Sequence, residues 1–257
     1  MKEGRLIEMV RYSQIRTILV LLILMIPARV WAESIFGFQT SALGEREESL
    51  MEAFDRSPMG GEEGWKLKKD EAGIKVYVRK TDVSPIKAFR GVMVLRVDMP
   101  TMVAFLMDDE NAPEWAPLCE ESKVVDKANE MAYYVHQVTR LPRPLKARDS
   151  IVFKYWCQDP ETGLVSAKVI AVPDHIPKKK GFVRMPLILT YFRLTPRGND
   201  SVEFVWEAIV DPAGWIPPWF VNLTLVRAPY DTFRRIQDLM PLEKYEGKRI
   251  PWLPVQP

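Results

Sequence analysis

Apolar positions in this chain recur first at every second residue and later at every third or fourth. Residues 73–80 (GIKVYVRK) alternate Ile74, Val76 and Val78 with polar or charged neighbours, the pattern of a half-buried strand. Residues 88–97 read as a second strand. Six more follow at 123–126, 131–139, 149–158, 164–172, 183–194 and 202–210, separated by turn-like segments. The period then changes. In the stretch 211–240, after a turn made by Pro212, Ala213 and Gly214, the residues Trp219, Leu223, Val226, Tyr230, Phe233, Ile236 and Met240 recur every three or four positions. That spacing places them on one face of a long helix starting near Pro217. Pro229 lies inside the same helix, removes a backbone hydrogen bond and predicts a kink between Leu225 and Ala228.

Shorter helices are expected at 41–54 (SALGEREESLMEAF), with Glu45, Glu47 and Glu48 at its positive end, and at 100–108 behind Pro100. Residues 114–117 read as a turn. Eight strands in hairpin succession with one long helix last predict an antiparallel α+β fold, the sheet curled around that helix with a cavity between them. A tail at 243–257 carries Pro251, Pro254 and Pro257 and cannot prolong the helix.

The 257 residues are 47% hydrophobic and 27% charged, enough for a full core. The first 32 differ from the rest: Arg5, Arg11 and Arg16 precede an apolar run at 18–26, and Val30 and Ala32 occupy the places before a cleavage site. This is the pattern of a signal peptide, with export to the periplasm or the medium as the expected address and an uncleaved membrane anchor as the alternative. The apolar run falls short of the roughly 20 residues that span a bilayer. Lys2, Arg5, Arg11, Arg16 and Arg29 against Glu3 and Glu8 give this segment +3 of the chain's net +2, so the remainder is about −1. A near-neutral chain has no long-range field for nucleic acid, and that partner is set aside. Cys119 and Cys157 are too few for a disulfide framework and are expected as buried free thiols, one bridge between them being the alternative.

Catalytic signatures are missing. No G-x-S-x-G elbow, phosphate-binding glycine loop or dinucleotide fingerprint occurs. His136 lies in a strand and reads as a core or surface residue; His175 lies in a turn and reads as solvated. Their spacing fits no helical zinc site, and no metal is expected.

Four separated pieces, 65–78 (WKLKKDEAGIKVYV), Arg148-Asp149, 177–184 (PKKKGFVR) and 211–222 (DPAGWIPPWFVN), resemble the START domain, the lipid-transfer domain related to steroidogenic acute regulatory protein. The resemblance spans roughly 64–240. It implies a helix-grip fold, a curved antiparallel sheet wrapped around the C-terminal helix and enclosing a tunnel for one lipid. The domain then covers 64–242, preceded by an N-terminal helix and linker at 33–63 and followed by the tail at 243–257. A dry apolar cavity binds a lipid at roughly 25 cal/mol per Å² buried, without a catalytic group or cofactor. The implied protein is therefore a non-enzymatic, monomeric lipid carrier in transient contact with a membrane surface.

Several residues take roles from this resemblance. Arg148 matches the family's Arg-Asp pair and is either a polar cavity residue or a positioner of strand ends. Gln137 and Lys154 fall where some members bury an acid–base pair on adjacent central strands; Gln in place of an acid departs from that pattern, so neither an ionic pair nor a sterol ligand follows. Trp215, Trp219 and Phe220, with Leu223, Val226 and Tyr230, line the tunnel or its mouth, and the C-terminal helix is the gate. The three aromatics alternatively dip into a membrane or pack the helix onto the sheet. Lys178, Lys179 and Lys180 either touch anionic head groups, at about 1 kcal/mol per charge, or form a solvated loop. Two competing readings are a cyclase-like helix-grip enzyme, needing a polar pair such as His136 with Asp149 or Lys154 in the cavity, and a lipid-sensing interaction module.

Overall fold

The computed structural model describes residues 43–253, apart from position 199. The expected signal segment, residues 33–42 and the last four residues of the tail lie outside the described residues.

Ten strands form one antiparallel sheet: β1 (Lys66–Glu71), β2 (Ile74–Arg79), β3 (Ala88–Arg96), β4 (Cys119–Lys127), β5 (Ala132–Thr139), β6 (Arg148–Gln158), β7 (Val165–Ala171), β8 (Val183–Arg184), β9 (Leu187–Pro196) and β10 (Ser201–Asp211). Their order is β1-β2-β3-β10-β9-β7-β6-β5-β4, with β8 added parallel to β6. The sheet is curved and stays open, with β1 and β4 as its edges. Five helices accompany it: α1 (Glu45–Asp55), α2 (Met99–Met107), α3 (Ala112–Trp115), α4 (Pro218–Thr224) and α5 (Arg227–Asp238).

Two strands exceed the eight read from alternation. β1 (KLKKDE) holds a single apolar residue and pairs with β2 through a tight hairpin whose Ala72 and Gly73 both have positive φ. Its charges protect an edge, so hydrophobic period could not reveal it. The stretch 183–194 divides at Met185 and Pro186 into β8 and β9. β4 begins at Cys119, four residues earlier than expected, and the first half of the expected 114–117 turn belongs to the short helix α3. Asp98 caps α2 by accepting from the Thr101 N–H at 2.9 Å and its hydroxyl at 2.8 Å, which starts that helix one residue before Pro100.

The long C-terminal helix is two helices. Pro229 cannot donate to the Leu225 carbonyl and its ring crowds that residue, and the break falls at Leu225 and Val226. The apolar stripe holds for α5, where Phe233 and Ile236 are fully buried, but α4 buries no residue at all. Phe233 lies against Phe204 at 5.3 Å and Trp206 at 6.1 Å between ring centres. Its ring edge meets the strand backbone at Gly91, where an added Cβ would come within 2.1 Å of Cε2. Only glycine permits that approach.

Helix α5 defines the inner face of the sheet. On the outer face, α1 sets Phe54 beside Tyr191 at 6.3 Å, and the Tyr134 hydroxyl donates to Glu47 at 2.6 Å. Among the described residues no helix is long and apolar enough to cross a membrane.

Candidate functional site

Strand register assembles the site. Gln137 opposes Ser122 on one side and Ser150 on the other, Val135 opposes Val124 and Val152, and Tyr133 opposes Lys154. Directly paired residues share a face, so β4, β5 and β6 present one surface in which Val135, Val152 and Trp156 alternate with polar groups. The short turn Asp109–Asn111 after α2 closes over it.

Lys154 is buried there, and an isolated ammonium in such a place is costly. Its Nζ donates to Asp109 Oδ1 at 2.5 Å, and both side chains are almost wholly inaccessible. The ammonium also lies 5.7 Å from the Tyr133 ring centre. Trp156 Nε1 donates to the Tyr133 hydroxyl at 3.1 Å. Burial first, and then the Asp109 charge, push the Tyr133 hydroxyl well above its ordinary range, and the same two causes raise the Cys119 thiol to about 11. Neither gives up its proton near neutral pH. Two polar atoms of this surface are buried without a hydrogen bond of good geometry, Asp109 Oδ2 and Ser150 Oγ, and the Tyr133 hydroxyl faces the Asp109 carboxylate.

The other predicted site residues fall as follows. Gln137 is half-buried and donates to Ser122 Oγ at 3.4 Å; the acid that Lys154 takes is Asp109, not a residue at 137. Arg148 is buried at the head of β6, with Nε donating to the Pro212 carbonyl at 3.0 Å and its two terminal nitrogens to those of Lys146 at 2.5 Å and Ala213 at 3.1 Å. Ala213 and Gly214 both have positive φ, and the Asp211 side chain accepts from the Ala213 N–H at 2.8 Å. The DPAG turn is thus a strained corner held by Arg148, and these bonds support the positioning reading of that residue. Val226 and Tyr230 are half-buried beside the inner core. Trp215, Trp219, Phe220 and Leu223 are exposed, on the turn and on α4. Asn222 ties α4 to the β2–β3 loop, accepting from the Lys87 N–H at 2.9 Å and donating to the Pro85 carbonyl at 3.5 Å.

His136 and Asp149 lie on the outer face, 3.5 Å apart. Arg184 also donates to Asp149, at 2.8 Å, and to the carbonyls of Pro173, Ile176 and Pro177, which pins the loop carrying Lys178, Lys179 and Lys180. The three lysines are exposed. His175 is not a free loop residue; it stacks on Tyr134 at 3.8 Å and approaches Asp126 at 3.3 Å. Cys157 is buried, Cys119 half-buried, and both are free thiols. Among the described residues no three or more His, Cys, Asp or Glu side chains gather as a metal site.

Asp109, Ser122, Ser150 and Tyr133 were missed by reading the sequence alone. A lysine in an otherwise apolar central strand demands a counter-ion, and that was the available signal. Nothing local says that the ion comes from the turn 45 positions upstream.

Comparison with known proteins agrees with this architecture. The family model described as START domain matches residues 45–235. The chain belongs to the START domain family. An uncharacterised protein of Pseudomonas aeruginosa is 31% identical over 175 residues, 68% of this chain and 86% of that protein. The crystal structure of a STAR-related lipid transfer protein fragment from Xanthomonas axonopodis is 32% identical with a TM-score of 0.63, covering 68% of this chain and 97% of that one. Human STARD10, 22% identical, superimposes with a TM-score of 0.64 over 82% of this chain and 87% of that chain, and shares the fold. START domains generally bind and transfer lipids, and the helix-grip architecture expected from the resemblance is the one found here.

Proposed function

We propose that this START domain binds one lipid between the inner face of the sheet and helix α5, without chemistry, and carries it outside the cytoplasm. The apolar part of the ligand packs on Val135, Val152 and Trp156, and its polar end meets Asp109 and Lys154. The observation that carries this reading is the Lys154–Asp109 pair with one carboxylate oxygen left without a hydrogen bond of good geometry on an apolar surface. A buried acceptor without a partner costs about 1–3 kcal/mol, which a ligand donor would recover.

The same atoms narrow the ligand. Among the described residues the two buried cations of the inner face are committed, Lys154 to Asp109 and Arg148 to three backbone carbonyls. A buried phosphate would lack a free cation, whereas a hydroxyl or amide N–H finds Asp109 Oδ2. The reading is therefore a lipid with an uncharged, hydrogen-bond-donating end. Access runs past α4, which buries nothing and is separated from α5 by the break at Leu225 and Val226. Export rests on the charge and hydropathy pattern of residues 1–32.

Native mass spectrometry of protein purified from its own host tests this directly. A co-purifying neutral lipid with a hydroxyl or amide is expected. Repeated recovery of empty protein overturns the reading, and recovery of a chemically altered ligand favours an enzyme using Lys154 and Asp109 instead.

A further inference from the structure

The last stretch of the described chain does not trail over the surface. Residues 241–253 leave α5 at the end of the sheet opposite the 212–217 turn, where Gln237 Nε2 donates to the Ala72 carbonyl of the β1–β2 hairpin at 3.1 Å. From there they form a strap beside α2. Leu242, Tyr245 and Leu253 are buried in the same apolar cluster as Trp156 and Phe105, and Ile250 and Trp252 pack against it half-buried. The START match ends at residue 235, so the strap lies outside it.

Its contacts lead to the lipid site by two routes. The Tyr245 hydroxyl donates to Asp108 Oδ2 at 2.9 Å and accepts from Asn111 Nδ2 at 2.8 Å, while Lys244 Nζ donates to the same Asp108 oxygen at 2.9 Å. The strap thus holds both sides of the turn that presents Asp109 to Lys154. Farther along, the Trp252 ring centre lies 6.4 Å from that of Trp156, which follows Lys154 by two positions on β6. Residues two apart on a strand share a face. Trp252 therefore stands just past the ion pair, at the end of the inner surface away from α4. With Ala104, Met107, Lys248 and Arg249 it also borders a cleft of about 350 Å³ on the strap's other side. The indole is the partition between that cleft and the inner surface, and a fused double ring makes a large, rigid one.

We propose that the strap is the floor of the lipid site, with Tyr245 positioning Asp109 and Trp252 bounding the space for the ligand's polar end, so that the carrier accepts compact ends and rejects bulky ones. This rests on the lipid-carrier reading. A hydroxyl or amide fits between the Lys154–Asp109 pair and the Trp252 ring, whereas a larger head group meets the ring itself. Removing the ring joins the site to the cleft, whose exposed Lys248 and Arg249 supply cations for a phosphate that the inner surface lacks.

Binding of two probes with identical acyl chains to the full chain, stripped of lipid, tests this as a ratio: a diacylglycerol, which ends in one hydroxyl, against a phosphatidylcholine. The wild-type protein should favour the diacylglycerol. Trp252→Ala should raise phosphatidylcholine binding relative to diacylglycerol about tenfold, the relief expected when an overpacked site is opened, and Trp252→Leu should move the ratio the same way by less. Both probes see the same folded molecules, so partial unfolding lowers both signals and leaves the ratio alone. Tyr245→Phe keeps the ring and loses the hydroxyl; diacylglycerol binding per folded molecule should fall about fivefold, as for one hydrogen bond. A purely structural Tyr245 would shift the urea midpoint and leave that occupancy intact. An unchanged ratio in both Trp252 variants, or full diacylglycerol binding by Tyr245→Phe, overturns the proposal while wild-type binding keeps the carrier standing. A wild-type protein that binds neither probe overturns the carrier and this proposal with it.

Discussion

On the outer face of the sheet, Arg90 and Glu207 oppose one another on β3 and β10. Glu207 accepts from Arg90 Nε at 2.9 Å and from the Gly60 N–H at 2.9 Å, while the remaining guanidinium nitrogens reach Glu62 and the Gly61 carbonyl, each at 2.7 Å. On the inner face, Lys154 makes one bond to Asp109 and leaves the Oδ2 oxygen without a strict hydrogen bond. The two pairs share burial and chemistry and differ in completeness. A saturated pair fastens the segment before β1 to the sheet; an unsaturated one holds a place for something else. Burial of an ion pair is therefore weak evidence of function, and its unspent hydrogen-bonding capacity is stronger evidence.

Three experiments press on that contrast. The largest effect belongs to Glu207→Leu, which takes away the buried partner of Arg90 and leaves it only the exposed Glu62 and the Gly61 carbonyl, and should cost about 3 kcal/mol in denaturant unfolding. A loss under about 1 kcal/mol would mean the pair is not the clamp its geometry describes. On the inner face, Lys154→Met together with Asp109→Leu should leave stability unchanged or raise it by about 1–4 kcal/mol. Lipid occupancy should fall about tenfold or more, as expected for losing one hydrogen bond to a charged group. If that double variant lowers the stability of the protein while the folded molecules keep their lipid, the inner pair is structural and the contrast collapses.

The smallest effect is in acid. Burial first, then Lys179, depress the His136 pKa below 6.5, with Asp149 opposing them and Arg184 sharing that carboxylate. The unfolded chain then binds a proton that the folded chain resists. Stability is complete above about pH 6.5 and declines as pH falls from there toward the folded value. Thermal unfolding at several pH values should show the decline, and His136→Gln should lessen it, His175 adding a contribution of the same sign.

How much of this the sequence carried depends on whether a residue's partner was local. Ile74, Val76 and Val78 announce β2 because the water boundary runs along the strand itself. β1 is silent because an edge strand made of lysines and acids buries almost nothing. The stripe from Trp219 to Met240 was correct in its period, yet periodicity does not say where the partner surface ends, and α4 runs beyond it. Lys154 was legible as a buried cation in a central strand, whereas Asp109 arrives through the fold. Arg148 was recognisable by motif, and only the three carbonyls around it disclose what it holds.

That grip has a mechanical corollary. With Pro212 and Ala213 fastened by Arg148 and the Leu225 carbonyl denied a donor by Pro229, α4 is a strut anchored at one end and jointed at the other. Swinging it requires no buried side chain of its own to meet water and no continuous helix to unwind. Two bonds of Asn222, to the Lys87 N–H and the Pro85 carbonyl, are what tie the side chains of this seven-residue helix to the β2–β3 loop.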